Sequence, residues 1–172
     1  KNIEKCENIV YIIQDREYLF YNDEQLVNMC KSTYKPEFKY YYISKYLYNF
    51  YQNKYKFPNY IQSQLSANND IYYDMNLKRE NKVILFYYPD KKGRLPKLIK
   101  EIAIKISEEQ IECIVLPFNF ESDSKYIKFL DPLKPEKLNE LYNKCKVGVV
   151  FSNTNPSRLC YEMFFSGLNV IE

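Results

Sequence analysis

Residues 146–172 read KVGVVFSNTNPSRLCYEMFFSGLNVIE. Lys146 to Phe151 is an apolar, β-branched run and predicts a buried strand, and Ser152 to Ser157 has the Asn, Pro and Ser content of a loop. Ser157 is placed to cap a helix from Arg158 to Ser166, Gly167 ends that helix, and Leu168 to Ile171 returns as a strand. Strand, loop, helix and strand in this order form the repeating unit of a parallel sheet. The same order makes the helix start a candidate site. The N–H groups of Arg158, Leu159 and Cys160 have no partner inside the helix and suit an anion. Glu162 follows one turn later and projects toward the same region.

The same alternation extends toward the N-terminus. Lys82 to Tyr87 (KVILFY) is a strand, PDKKGR a turn, and Leu95 to Ile106 a helix with Leu98, Ile99, Ile102, Ala103 and Ile106 on one face. Ile111 to Leu116 is the next strand. After a loop, Pro135 stands where the first helical turn favours proline, and Leu138, Leu141 and Tyr142 continue that helix. Further upstream, Asn8 to Ile13 and Lys39 to Ile43 are strands, Asp23 caps a helix through Ser32, and Ser44 caps another carrying Leu47, Phe50 and Tyr51. Residues 58–80, rich in Asn, Asp and Ser, predict a linker. The expected organisation is α/β, with Rossmann-like parallel sheets and flanking helices, divided as 1–75 and 76–172. In open α/β sheets ligands bind beyond the carboxyl ends of the strands, which selects the loops at Gln14–Tyr21, Pro89–Arg94, Pro117–Asp123 and Ser152–Ser157.

Composition removes several function classes. No histidine occurs, so His-based triads, imidazole general bases and HExxH zinc sites are absent. The cysteines at 6, 30, 113, 145 and 160 form no CxxC pair, which indicates neither a disulfide framework nor a zinc cluster and favours a reducing, cytoplasmic setting. Twenty-five Lys+Arg against 22 Asp+Glu leave a net charge of +3, too little to indicate nucleic acid as a partner. The apolar runs are far shorter than a bilayer-spanning helix, and no signal-peptide pattern precedes them.

The stretch from Glu140 to Glu172, ELYNKCKVGVVFSNTNPSRLCYEMFFSGLNVIE, resembles the donor-binding signature of GT-B nucleotide-sugar glycosyltransferases, in order and in spacing. A second stretch, YIIQDREYLFY at residues 11–21, resembles the YIQDFE strand of rhamnosyltransferase-like enzymes of bacterial surface-glycan assembly. The resemblance implies a GT-B fold and transfer of a hexose or deoxyhexose, without metal or other cofactor, from a nucleoside-diphosphate sugar to a glycan or lipid-linked glycan acceptor. It implies that 1–75 is the rear part of the acceptor-side domain and 76–172 the donor domain. By the same resemblance, Glu162 matches the second glutamate of an E-x7-E motif, which contacts the donor ribose, and a carboxylate accepts hydrogen bonds from such hydroxyls. Thr154 stands where that motif has its first glutamate. Ser157 with the following N–H groups, Asn155 and Arg158 match the diphosphate-binding helix start. Arg94, with Lys92 beside it, matches a basic residue against the phosphates. Gln14 and Asp15 are the candidate catalytic residues. Such enzymes work in the cytoplasm, including peripherally at the inner face of the membrane.

Each residue also has a plainer reading. Glu162 could be a solvated helix residue, Arg158 a flanking charge, PDKKGR a polar turn, and Gln14 and Asp15 strand-end groups bonding local backbone. Cys160 at the helix start is read as packing, since no histidine could activate it. The stretch YYYISKYLYNFYQNKYKF suits an amphipathic packing helix better than a base-stacking surface. A non-catalytic nucleotide-binding or interaction module is the alternative to the transferase. Two Rossmann-like domains of roughly 150–200 residues each exceed the 172 present, so the chain is expected to be an incomplete, truncated piece of such an enzyme.

Overall fold

The computed structural model describes residues 9–63, 65–153 and 157–172, without the side chain of Lys92. The chain divides into two compact α/β units, Lys1–Leu65 and Ser66–Glu172.

The first unit is a three-stranded parallel sheet in the order β1 (Val10–Ile13), β2 (Lys39–Tyr42), β3 (Tyr60–Gln62). Helices α1 (Glu24–Ser32) and α2 (Lys45–Tyr55) make the crossovers. Both begin at the expected caps: the Asp23 carboxylate accepts from Leu26 N at 2.9 Å, and the Ser44 hydroxyl accepts from Leu47 N at 3.2 Å. Ile13, Tyr40, Tyr42, Leu47 and Tyr51 form the buried core with Phe57, whose ring stacks on Tyr40 at 3.8 Å. The tyrosine-rich helix thus turns Leu47 and Tyr51 inward, as its spacing predicts.

In the second unit the strands β4 (Lys82–Tyr87), β5 (Glu112–Pro117), β6 (Ile127–Phe129), β7 (Val147–Val149) and β8 (Asn169–Ile171) form one parallel sheet in the order β6-β5-β4-β7-β8. Alternate residues of β4 and β5 serve two different layers. Val83, Leu85, Cys113 and Val115 pack on Ile99 and Ala103 of α3 (Pro96–Glu108). Ile84, Phe86, Ile114 and Leu116 pack on Tyr142 of α4 (Pro135–Lys144) and Met163 of α5 (Arg158–Phe165). Burial on both faces explains why these strands read as continuous apolar runs.

Two strands and one anchored segment depart from the sequence reading. Tyr60–Gln62, within the expected linker, is β3, and Ile127–Phe129, read as loop, is β6. Each is an edge strand of three residues, too short to show a period. Residues 66–80 are not free linker either. Met75 N donates to Asn143 Oδ1 at 2.7 Å, and Arg79 donates to the carbonyls of Tyr142, Cys145 and Ser166 at 2.8, 3.1 and 2.8 Å. One guanidinium thereby satisfies carbonyls at the C-terminal ends of both α4 and α5. Gly167, which ends α5 at φ +72°, leaves room for this group: a Cβ there would stand 2.7 Å from Arg79 Nη2.

Arg79→Ala leaves three carbonyls at helix ends without their donor, and is expected to cost about 3 kcal/mol of stability. Urea unfolding of the two proteins measures it, and Arg79→Lys should recover only part of the loss because a single ammonium cannot span the same three acceptors.

Candidate functional site

The strand order of the second unit puts the site where β4 and β7 lie side by side. From β4 the chain crosses to β5 on one side, and from β7 to β8 on the other, so the connections leave in opposite directions and open a crevice at the carboxyl ends. Two loops line it. The first runs from Tyr88 through a 3-10 turn at Lys92–Arg94 to Leu95, which takes a left-handed conformation (φ 48°) before Pro96 starts α3. The second follows β7 and leads to α5. Asn153 N donates to Gly93 O at 2.9 Å and ties the two loops together.

Arg94 brings a guanidinium into this region, and its Nη1 is buried without a hydrogen-bond partner. A donor in that condition costs about 1–3 kcal/mol until an acceptor arrives. Glu162 is 4% exposed, so its solvated reading fails. Its Oε1 accepts from Arg158 Nε at 3.0 Å, and the Tyr72 hydroxyl is near enough to act on the carboxyl. Burial raises its carboxyl above the ordinary value, which Arg158 and Tyr72 only partly offset. The Tyr142 hydroxyl, buried and without a hydrogen-bond partner, feels the same carboxylate. Tyr88 is a further neighbour: burial raises its phenol, Arg94 opposes that rise and Glu162 adds to it.

Ser157 occupies the N-cap of α5 with extended backbone, but its side chain caps no helix N–H. The Glu172 carboxylate is at that end of the helix instead, accepting from Ser157 N at 2.8 Å. It arrives there because β8 runs parallel to β7, so its carboxyl end emerges beside the start of α5. Cys160 is pushed up to about 12, by burial first and then by a hydrogen bond to Glu172, consistent with a packing role.

The structure therefore brings Arg94, Ser157, Arg158 and Glu162 into one region of the second unit. Asn155 and Thr154 lie outside the described residues, as does the side chain of Lys92, whose backbone is in the 3-10 turn. Gln14 and Asp15 belong to the first unit, at the carboxyl end of β1. Their backbone N–H groups donate to Glu17 Oε1 at 3.0 and 3.3 Å, and Glu17 Oε2 accepts from the hydroxyls of Tyr34 and Tyr51 at 3.0 and 3.3 Å. Sequence reading missed Glu17, Tyr72, Tyr88 and Tyr142. Tyr88 could have been found as the first residue beyond β4. Tyr72 could not, because nothing in its Asn- and Asp-rich surroundings signals a contact with α5. Among the described residues no group of three His, Cys, Asp or Glu side chains is arranged to hold a metal, and no helix is long and apolar enough to cross a membrane.

No protein-family model matches the chain, and no curated protein sequence does. Its structure is similar to that of a sucrose-phosphate synthase from Thermosynechococcus elongatus, with a TM-score of 0.54 and 11% identity, over 85% of this chain and 52% of that one. The chain thus spans about half the length of the structure it matches. The fold is α/β, with parallel sheets and flanking helices, and is similar to that of a GT-B glycosyltransferase.

Because burial raises the Glu162 carboxyl, ionising it opposes folding. Its contribution is most favourable below its ordinary value of 4.5 and declines as pH rises through the higher folded value. Glu162→Gln is therefore expected to gain stability relative to the parent as pH rises, then to run parallel to it, which thermal unfolding across roughly pH 4 to 8 checks.

Proposed function

We propose that the chain is part of a GT-B glycosyltransferase that moves a hexose or deoxyhexose from a nucleoside-diphosphate sugar to an acceptor hydroxyl on a glycan or lipid-linked glycan. Residues 76–172 bind the donor, and 1–75 belong to the acceptor side. The observation that carries this reading is the buried Glu162 carboxylate standing at the β4/β7 crevice together with Arg94, whose Nη1 has no acceptor. A carboxylate whose one hydrogen bond among the described residues is from Arg158 keeps lone pairs for the vicinal hydroxyls of a ribose. The leaving group is a diphosphate. Charge developing on it is stabilised by the N–H groups of Arg158 and Leu159, since that of Cys160 donates to Ser157 O at 3.0 Å, and by Arg94, with Lys92 and Arg158 as further cations. Gln14 and Asp15 orient the acceptor, and Asn155 adds an amide to the phosphate loop. This scheme uses no metal or other cofactor. It acts in the cytoplasm or peripherally on the inner face of a membrane, on surface-glycan substrates of the kind rhamnosyltransferase-like enzymes use.

One observation favours a second reading, a nucleotide-binding module without turnover. The start of α5 already holds the Glu172 carboxylate, so a diphosphate must displace it.

Calorimetric titration with UDP, GDP and dTDP tests the site. One of them should bind saturably, and Glu162→Ala should weaken it about 10- to 100-fold through loss of the ribose hydrogen bonds. Arg94→Ala should lose affinity for the diphosphate while leaving the bare nucleoside unaffected. Unchanged binding in both variants rejects the site. Binding with neither transfer nor hydrolysis of the matching nucleotide sugars selects the second reading.

A further inference from the structure

The loop after β1 carries a cation that the donor site does not use. Arg16 follows Asp15 at the carboxyl edge of the first unit's sheet. Its guanidinium lies over two rings of α2, 5.9 Å from the Tyr46 centroid and 5.4 Å from that of Phe50. Since β1 and β2 are parallel, this loop and the start of α2 emerge at the same edge. The Nε atom is buried with no hydrogen-bond partner, and no carboxylate among the described residues forms an ion pair with the group.

The nearest acids are already engaged. Glu17 accepts two backbone N–H groups and two tyrosine hydroxyls. Asp15 Oδ1 accepts from Arg16's own backbone N at 2.7 Å. An arginine placed only to pack would be expected to use its donors on neighbouring carbonyls, as Arg79 does. Here the two rings support the guanidinium, no described residue accepts a hydrogen bond from it, and the residue as a whole is only partly buried. A planar fork of this kind matches a carboxylate or a phosphate, and the exposed edge of Tyr46 suits the apolar face of a sugar ring.

We propose that Arg16, on its Tyr46 and Phe50 shelf, is the specificity-determining element of a subsite for an acidic saccharide, one bearing a carboxylate or a phosphate. That this saccharide is the acceptor rests on the glycosyltransferase reading; the subsite itself does not.

The test is an NMR titration of the full 15N-labelled chain, following the Nε–H resonance of Arg16, assigned by its loss in Arg16→Lys. Glucuronate and glucose 1-phosphate should shift it saturably, with glucose and inorganic phosphate each at least about 10-fold weaker. Arg16→Phe, which keeps an apolar side chain against the Tyr46 and Phe50 rings, should lose at least about 10-fold in affinity for both acidic sugars while keeping its folded spectrum. Glucose binding as tightly as glucuronate overturns the proposal, as does unchanged acidic-sugar binding in Arg16→Phe. Inorganic phosphate equal to glucose 1-phosphate overturns the saccharide assignment. Nucleoside-diphosphate binding and its dependence on Glu162 are measured on the same samples, so failure of the donor site and failure of this subsite are read separately.

Discussion

Gly148 sits in the middle of β7 where α5 crosses the sheet. A Cβ at this position would run into the Met163 sulfur and lie 2.9 Å from Leu168 Cδ2. Without a side chain there, α5 settles close against β7, and Met163 and Leu168 close the core over Tyr142, Phe86 and Leu116. A Cβ here would have to displace the ends of the Met163 and Leu168 side chains that close this core. Glu162 precedes Met163 in the same turn of the helix. It is buried beside this contact, where burial raises its carboxyl and Arg158 donates to it.

Around that contact, polar groups do work that apolar packing cannot. Arg79 reaches from an irregular segment into the ends of two helices, and Asn139 and Asn143 of α4 bond back to the same segment and to Ser166. Asn139, Asn143 and Ser166 are buried, so their hydrogen bonds are worth more than exposed ones and are costly to break singly. The first unit uses the same device on a smaller scale. Glu17 joins the β1 loop to the hydroxyls of Tyr34 and Tyr51, which themselves lie 3.0 Å apart. In both units a single charged side chain holds an irregular stretch where a candidate ligand group stands.

The sequence reading succeeded wherever period or capping carried the signal. The crossover helices began at Asp23, Ser44 and Pro135, and β4 and β5 were evident because burial on both faces leaves no polar alternation. It failed at β3 and β6, where three residues cannot define a period, and at 66–80, whose polar composition resembles a linker although its groups are used in long-range bonds. Of the candidate residues it named, Glu162, Arg94, Ser157 and Arg158 lie in one region of the second unit. The partners Tyr72, Tyr88 and Tyr142 come from three separate segments and were not legible.

By itself, then, the chain's order of residues determined the succession of strands and helices, the absence of imidazole chemistry, and the charged and polar residue types that stand in the strand-end loops. These properties are local: they depend on neighbours within a turn or a strand. Only the tertiary structure decided which strand lies beside which, and hence that the β4 and β7 loops share a crevice. It also decided that Glu162 is buried rather than solvated, that Glu172 rather than the Ser157 hydroxyl meets the start of α5, and that Arg16 rests on aromatic rings with its donors unclaimed. Burial and hydrogen-bond partnership belong to pairs of residues far apart in the chain, and those pairs exist only once the sheet has closed.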